Sequence, residues 1–349
     1  MWNITLRNIQ FRRRQFLIAV VGTSLVFGMA LLVTGIREGF RSEAQKTLDG
    51  IGGDHWVIPR DTSGPFTAFS IVEARAAETL AGLPGVRQAD PIVLLPQTIG
   101  KGEKAKTINV IGRRNGGLGQ PPLVAGRTVQ GEGDAVVDKK VDLKLGERFA
   151  LSGRKFTVVG LVTGRTYFGG TPTIYVGLKD AQALAYRGNP YATAIVMNGR
   201  PAVVIPGLAV LSKSEVKADL LRPLRDAEQS INNTRLLLWL VAAIIVGAVM
   251  YMSALERVRD FAILKAVGAG SRVLVTSLAI EAVIACLLSA ALAVFVARLL
   301  RPIIPLPVTY TASAYALLPV VAVIVGMLSS LSGVRRAVRT DPAAAFAGA

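Results

Sequence analysis

Four long apolar stretches constrain what this chain can fold into more than any other feature. Residues 16–36, 236–255 and 313–334 contain no Asp, Glu, Lys or Arg, and residues 273–297 contain one such residue, Glu281. A helix needs about 20 apolar residues to cross the hydrocarbon core of a bilayer. Inside that core every backbone polar group must be satisfied within the segment, so each stretch reads as a transmembrane helix. The composition agrees, with 51% hydrophobic and 18% charged residues and a mean hydropathy of +0.46. Soluble chains carry about 25% charged residues, and a disordered chain could not keep this much apolar surface solvated. Arg12, Arg13 and Arg14 precede the first stretch as they would in a signal peptide. Its apolar run, however, exceeds the roughly 7–15 residues of a signal core, and no convincing small-x-small cleavage site follows, so it reads as a retained helix.

The charges assign a topology. Lys and Arg number 40 against 23 Asp and Glu, a net charge of +17. Arg7, Arg12, Arg13 and Arg14 precede the first span, Arg257, Arg259, Lys265 and Arg272 lie between the second and third, and Arg335, Arg336 and Arg339 follow the fourth. Only Arg298 and Arg301 stand in the connection 298–312 between the third and fourth. The positive-inside rule then places both termini and the 256–272 connection in the cytoplasm. Residues 37–233 are left on the far side as one large insert. Basic residues flanking spans explain much of the positive charge, and no zinc-finger spacing or aromatic RNA-binding motif points to nucleic acid.

The insert reads as α+β. Ser70 and Glu73 have capping-box spacing, which predicts a helix through about Leu83, ended by Pro84-Gly85. Strands are predicted over 86–95, 135–137, 149–151, 155–162, 173–176 and 193–197, separated by Gly-containing turns. Asp180 is expected to cap a short helix over 181–186, and Ser212 with Glu215 to form a second capping box. The helix after Ser212 can run on into the second span, since no proline lies between Leu224 and Leu255. The fold class expected is therefore an α-helical membrane protein of four transmembrane helices, with an α+β extracytoplasmic domain inserted between helices 1 and 2. In the N-terminal segment 1–15, Trp2, Leu6 and Ile9 fall on one helical face. A short helix at the cytoplasmic interface and an unstructured basic anchor both fit that pattern.

The connection 256–272 reads Glu-Arg-Val-Arg-Asp-Phe-Ala-Ile-Leu-Lys-Ala-Val-Gly-Ala-Gly-Ser-Arg. Val258, Phe261, Leu264 and Val267 recur every three residues, and Arg257, Asp260 and Lys265 fall elsewhere, as in a short amphipathic helix. Gly268 suits its C-terminal stop and Ser271 an N-cap for the third span. Periodicity alone leaves open whether this helix docks on a partner or lies on lipid headgroups.

The same residues carry a family resemblance. The segment resembles the Glu-Arg-x-Arg-Glu-Ile-Gly-x-x-Lys-Ala-Leu-Gly-Ala signature of FtsX-like permeases, the MacB-type class of ABC transporters. Glu256, Arg257, Arg259, Lys265, Ala266, Gly268 and Ala269 match, while Asp260 replaces the usual Glu and Phe261-Ala262 replace Ile-Gly. The tail 335–349, with Arg335-Arg336-Ala337-Val338 and Asp341-Pro342-Ala343, is similar to the family's end, and stretches of the insert resemble its periplasmic core domain. The resemblance implies a bacterial inner-membrane permease that works as a homodimer or heterodimer with two ABC ATPase subunits. It implies that Glu256, Arg257, Arg259, Asp260, Phe261, Leu264, Lys265 and Gly268 form the helix that seats in the ATPase, which drives movement of the outer domain. ATP and Mg would belong to that partner, because this chain has no G-x-x-x-x-G-K-[ST] to hold nucleotide phosphates. The cargo range implied is lipid, peptide or lipoprotein, exported or extracted, and some relatives also engage a periplasmic adaptor protein. A scaffold that activates a cell-wall hydrolase, as in the cell-division branch, is the alternative, although the insert is larger than that branch usually has. Amino-acid uptake ranks below both.

Little else carries chemistry. Glu281 is expensive at its depth and is by default a functional candidate; an acid near this place is common in the family, which favours helix packing over a proton relay. Ser152 and Lys155 have S-x-x-K spacing, but Gly153-Arg154 between strands point to a hairpin. Gly116-Gly117-Leu118-Gly119 lacks the helix a dinucleotide site needs. The single histidine, His55, and single cysteine, Cys286, exclude a His cluster and an internal disulfide. No catalytic residue, metal site or resident cofactor is expected.

Overall fold

The computed structural model describes residues 13–100, 102, 105–164, 166–256, 263, 270–304 and 306–339. In chain order the elements are α1 (Arg13–Ile51), β1 (His55–Pro59), β2 (Val72–Glu73), α2 (Ala76–Ala81), β3 (Val86–Ile99) and β4 (Lys106–Arg113). Next come β5 (Ala125–Gly126), β6 (Asp134–Asp138), β7 (Arg148–Leu151), β8 (Arg154–Val162), β9 (Thr166–Tyr167) and β10 (Thr171–Gly177). The domain closes with α3 (Leu178–Tyr186), β11 (Tyr191–Ala192), β12 (Ala194–Gly199), β13 (Leu208–Ser212) and α4 (Lys213–Leu220). Three long helices follow, α5 (Arg225–Glu256), α6 (Ser271–Leu300) and α7 (Ala312–Arg339). The chain divides into two compact units, one of residues 1–39 with 227–349 and the other Phe40–Asp226.

Among the described residues four helices are long and apolar enough to cross a membrane, over Phe16–Ile51, Arg222–Glu256, Val275–Ile303 and Ala312–Ser330, and the larger part of each belongs to the first unit. Small residues let these helices approach. Ala282, Cys286, Ala290, Ala293 and Ala297 form a buried stripe along α6. A Cβ placed on Gly28 of α1 would stand 3.1 Å from Val296 Cγ1, and one on Gly326 of α7 would stand 2.9 Å from Val283 Cα. Close backbone approach through small residues is how membrane helices gain dispersion contacts where no hydrophobic effect drives them together. The opposite faces carry Leu236, Leu240, Ile244, Phe295, Leu299 and Ile324, all exposed, as lipid-facing side chains would be.

The second unit is built on a mixed sheet ordered β13-β1-β12-β3-β4-β10-β6-β8-β5, with β4–β10 and β6–β8 parallel and the other pairs along it antiparallel. Strand alternation sends successive residues to opposite faces. Thus Ile92, Ile111, Tyr175 and Val196 join one core with Leu48 and Ile51 of α1 and Val216 of α4. Their neighbours Val93, Val110, Ile174 and Val176 pack instead with Ala181 of α3. Val57, Ile195 and Met197 cover Ala77 and Leu80 of α2. Both faces are covered, and few of these strands alternate polar with apolar residues.

Several expectations hold. The hairpin at Ser152 is present, with Leu151 opposite Arg154 and positive φ at both Ser152 (45°) and Gly153 (82°), a two-residue turn that glycine eases. Both halves of the Ser212–Glu215 capping box form. Three others are corrected. Ser70 caps no helix: its hydroxyl donates to the Thr193 carbonyl at 2.7 Å, Val72 and Glu73 pair with Ala192 and Tyr191, and α2 starts only at Ala76. A long-range strand pair has outcompeted the local cap. Asp180 lies in the first turn of α3, whose N-cap is Gly177, because its carboxylate is taken by the Gly133 amide (2.9 Å) and Arg154 (3.3 Å). The helix after Ser212 stops at Leu220, and a 3₁₀ turn over Arg222–Leu224 that contains Pro223 separates it from α5. From Arg225 to Glu256 the helix is unbroken.

Candidate functional site

The sequence points to the 256–272 connection and to Glu281 for chemistry. Glu256 is the last residue of α5. Arg257, Arg259, Asp260, Phe261, Leu264, Lys265 and Gly268 lie outside the described residues, as do the N-terminal segment through residue 12 and the tail from residue 340. Ile263 is helical and exposed. The third long helix begins at Ser271, and its N-cap is Gly270, which has extended geometry and no side-chain cap bond. Ser271 is therefore the first helical residue and not the cap expected for it.

Glu281 sits on α6 at 4% exposure. Among the described residues of the bundle it is the one charged side chain in the buried set, which otherwise contains Thr23, Ser24, Ser253, Ser289, Ser329 and Ser330. Its neighbour Ala282 belongs to the small-residue stripe, and the Ala282 carbonyl oxygen would lie 3.1 Å from a Cβ on Gly326. Glu281 thus sits beside a close approach of α6 and α7. Hydroxyls support the same packing. Ser329 Oγ on α7 donates to the Ala243 carbonyl of α5 at 2.9 Å and the Val325 carbonyl at 2.7 Å. Tyr310 OH donates to the Ala297 carbonyl at 2.9 Å, and the Thr309 amide donates to the Gly35 carbonyl at 2.9 Å. The connection between α6 and α7 is thereby bonded to α1. Arg37 of α1 and Glu228 of α5 approach to 3.7 Å.

The inserted domain holds a group that sequence reasoning did not single out. Arg113, at the end of β4, is 8% exposed. Its guanidinium donates to the Leu118 carbonyl at 3.1 Å and to the Gly119 carbonyl, and it lies over the Tyr175 ring at 5.0 Å. Burial pulls its pKa down to about 10 against the pull of Tyr175 and Asp90. No carboxylate among the described residues comes within ion-pair distance of it. The available signal was a pair of arginines directly after an apolar strand pattern, which sequence alone cannot separate from a solvated turn. His55, by contrast, is structural: it pairs with Asp54 at 3.1 Å on the edge of β1. Opposing the cost of burial, the bonds from His55 and the Gly199 amide hold the Asp54 carboxyl below its ordinary range. Among the described residues no group of His, Cys, Asp and Glu could hold a metal ion.

Comparison with known proteins completes the picture. Residues 16–219 match the MacB-like periplasmic core domain, and residues 235–342 match the FtsX-like permease C-terminal domain. The chain is 37% identical over 343 residues to an uncharacterized ABC transporter permease of Mycobacterium tuberculosis, covering 98% of each. It is 20% identical over 367 residues to a putative hemin transport system permease protein of Staphylococcus haemolyticus, covering 99% of each. Among solved structures, the periplasmic region of MacB from Actinobacillus actinomycetemcomitans aligns with 49% of this chain and 94% of its own, at 15% identity and a TM-score of 0.34. Two domain matches in tandem, and relatives aligned nearly end to end, show that the chain belongs to the FtsX-like, MacB-type family of ABC transporter permeases, as a non-catalytic membrane subunit.

Proposed function

We propose that this permease converts ATP hydrolysis by a separate ABC ATPase into movement of its inserted domain, and so exports or extracts a lipophilic, peptide or lipoprotein cargo. One observation carries the reading: α1 and α5, which flank the inserted domain in the chain, are unbroken helices of 39 and 32 residues. At 1.5 Å per residue they are about 58 and 48 Å long, against about 30 Å of hydrocarbon. Each is long enough to act as a rigid lever beyond the bilayer, and the Arg37–Glu228 contact ties one to the other.

In this reading both termini and the 256–272 connection face the cytoplasm of a bacterial inner membrane, supported by the distribution of Arg and Lys. The connection contacts the ATPase through Glu256, Arg257, Arg259, Asp260, Phe261, Leu264, Lys265 and Gly268. ATP and Mg stay on that partner, and two permease copies complete the assembly, with or without an adaptor protein. The spans carry almost no charge with which to line a polar path, which supports a cargo handled from the lipid side. Hemin, named for the transport systems of the staphylococcal relatives, falls within that lipophilic class. Reconstitution with the ATPase in vesicles tests the proposal: ATP-dependent movement of a lipophilic cargo is expected. Copurification with a wall hydrolase, and no movement of any cargo, would replace it with a signalling role.

A further inference from the structure

A cleft of about 730 Å³ opens in the inserted domain, lined among others by Arg75, Arg113, Arg114, Gln130, Lys179 and Asp180. Four cations and two carboxylates, Glu132 and Asp180, share this lining. Asp180 is already engaged by Arg154 and by the Gly133 amide, and its side chain is 4% exposed. Arg114 is partly answered by Glu78 at 3.0 Å. The charge left over is positive. Arg113 matters most, being nine-tenths buried, with its Nε lacking any hydrogen-bond partner and no carboxylate paired to it. A buried cation in no ion pair is costly even with Asp90 acting on it from beyond ion-pair distance, and its bonds to the carbonyls of Leu118 and Gly119 keep it there. The first turn of α3 supplies a second element of anion recognition. Gly177, Leu178 and Lys179 all line the cleft, and the Gly177 N-cap makes no side-chain bond to the turn's amides. Such amides favour negative charge. Ala74, Val129, Leu178 and Pro190 give the same cleft apolar wall.

We infer that this cleft is a receptor for an oxyanion, the phosphate or carboxylate of a small amphiphile, held by Arg75, Arg113, Lys179 and the α3 N-terminus, with the apolar wall covering the adjoining carbon chain. The inference does not rest on ATPase coupling and is testable on the permease alone.

The test is calorimetric titration of the full-length permease in non-ionic detergent at low salt. The probes are dihexanoyl phosphatidic acid, inorganic phosphate and zwitterionic dihexanoyl phosphatidylcholine. The acidic lipid is expected to bind, to be displaced by phosphate and by raised salt, and to weaken about tenfold in an Arg75→Ala/Lys179→Ala double variant. Both of those side chains are exposed, so the fold should survive the change. Arg113→Gln should also weaken binding, and Arg113→Lys should restore part of it. Phosphate binding as strong as the lipid's would support the same chemistry with a free anion as its source. Binding unchanged in the double variant, or equal binding of the zwitterionic lipid, would overturn the inference.

Discussion

Gly326 and Val283 meet backbone to backbone: a Cβ on the glycine would stand 2.9 Å from Val283 Cα and 3.1 Å from its amide nitrogen. No backbone atom there can retreat without moving a helix. The contact seats α7 on α6 one turn from Cys286 and beside Glu281. Gly326→Leu should therefore destabilise the bundle by about 2 kcal/mol or more, the cost of overpacking. The readout is the thermal midpoint of the purified protein in detergent. An unchanged midpoint would mean that the two helices are not packed this closely.

Glu281 is expected to serve packing. Glu281→Gln keeps shape and hydrogen-bonding capacity, so ATPase activity of the assembled complex should stay within about threefold of the parent with the same pH profile. A displaced pH profile would instead assign this carboxyl a proton-handling role.

The 256–272 connection can be tested by breaking either its apolar face or its helix. Leu264→Asp puts a charge among the residues that repeat every three positions, and Gly268→Pro disrupts the proposed stop. Either change should lower permease-stimulated ATP hydrolysis by about tenfold or more while leaving membrane insertion intact. Normal stimulation in both variants would remove the docking role.

Asp134 links the inserted domain to pH. Its carboxylate accepts from Arg127 at 2.6 and 3.1 Å and from the amides of Gln130 and Gly131, each at 3.1 Å. Burial alone would raise its pKa, but these donors outweigh burial and lower it. The carboxylate form is thus favoured on folding. The stabilisation is complete above the unfolded value of about 3.9 and is lost as pH falls through the lower folded value. Asp134→Asn should lower the thermal midpoint by about 3 °C at pH 7 and flatten its decline in acid. An equally steep acid decline in the variant would show that other carboxylates govern it.

Much of this architecture was legible because hydrophobic runs and helix signals are local. The four spans stand out as long apolar stretches with at most one charge each, and Ser212 with Glu215 forms the predicted box because both partners lie within one turn. Strands such as β1, β4 and β13 carry no comparable local signal. His55–Pro59 gains its identity as a strand from pairing with Met197 on one side and Ser212 on the other, partners far away in the chain. Ser70 and Asp180 show the reverse error. Each carries a good local capping signal, and each spends its oxygen on a distant partner, Thr193 in one case and Gly133 with Arg154 in the other.

From sequence alone came the number of spans, the place of the inserted domain and the family, since segment hydropathy and the Glu256–Ala269 signature need no knowledge of contacts. Tertiary structure alone decided that Gly28 and Gly326 are contact points, that Arg113 is a buried cation in no ion pair, and that Arg75 and Lys179 share its cleft. Those properties depend on distances between residues remote in the chain, and no periodicity of three or two encodes them.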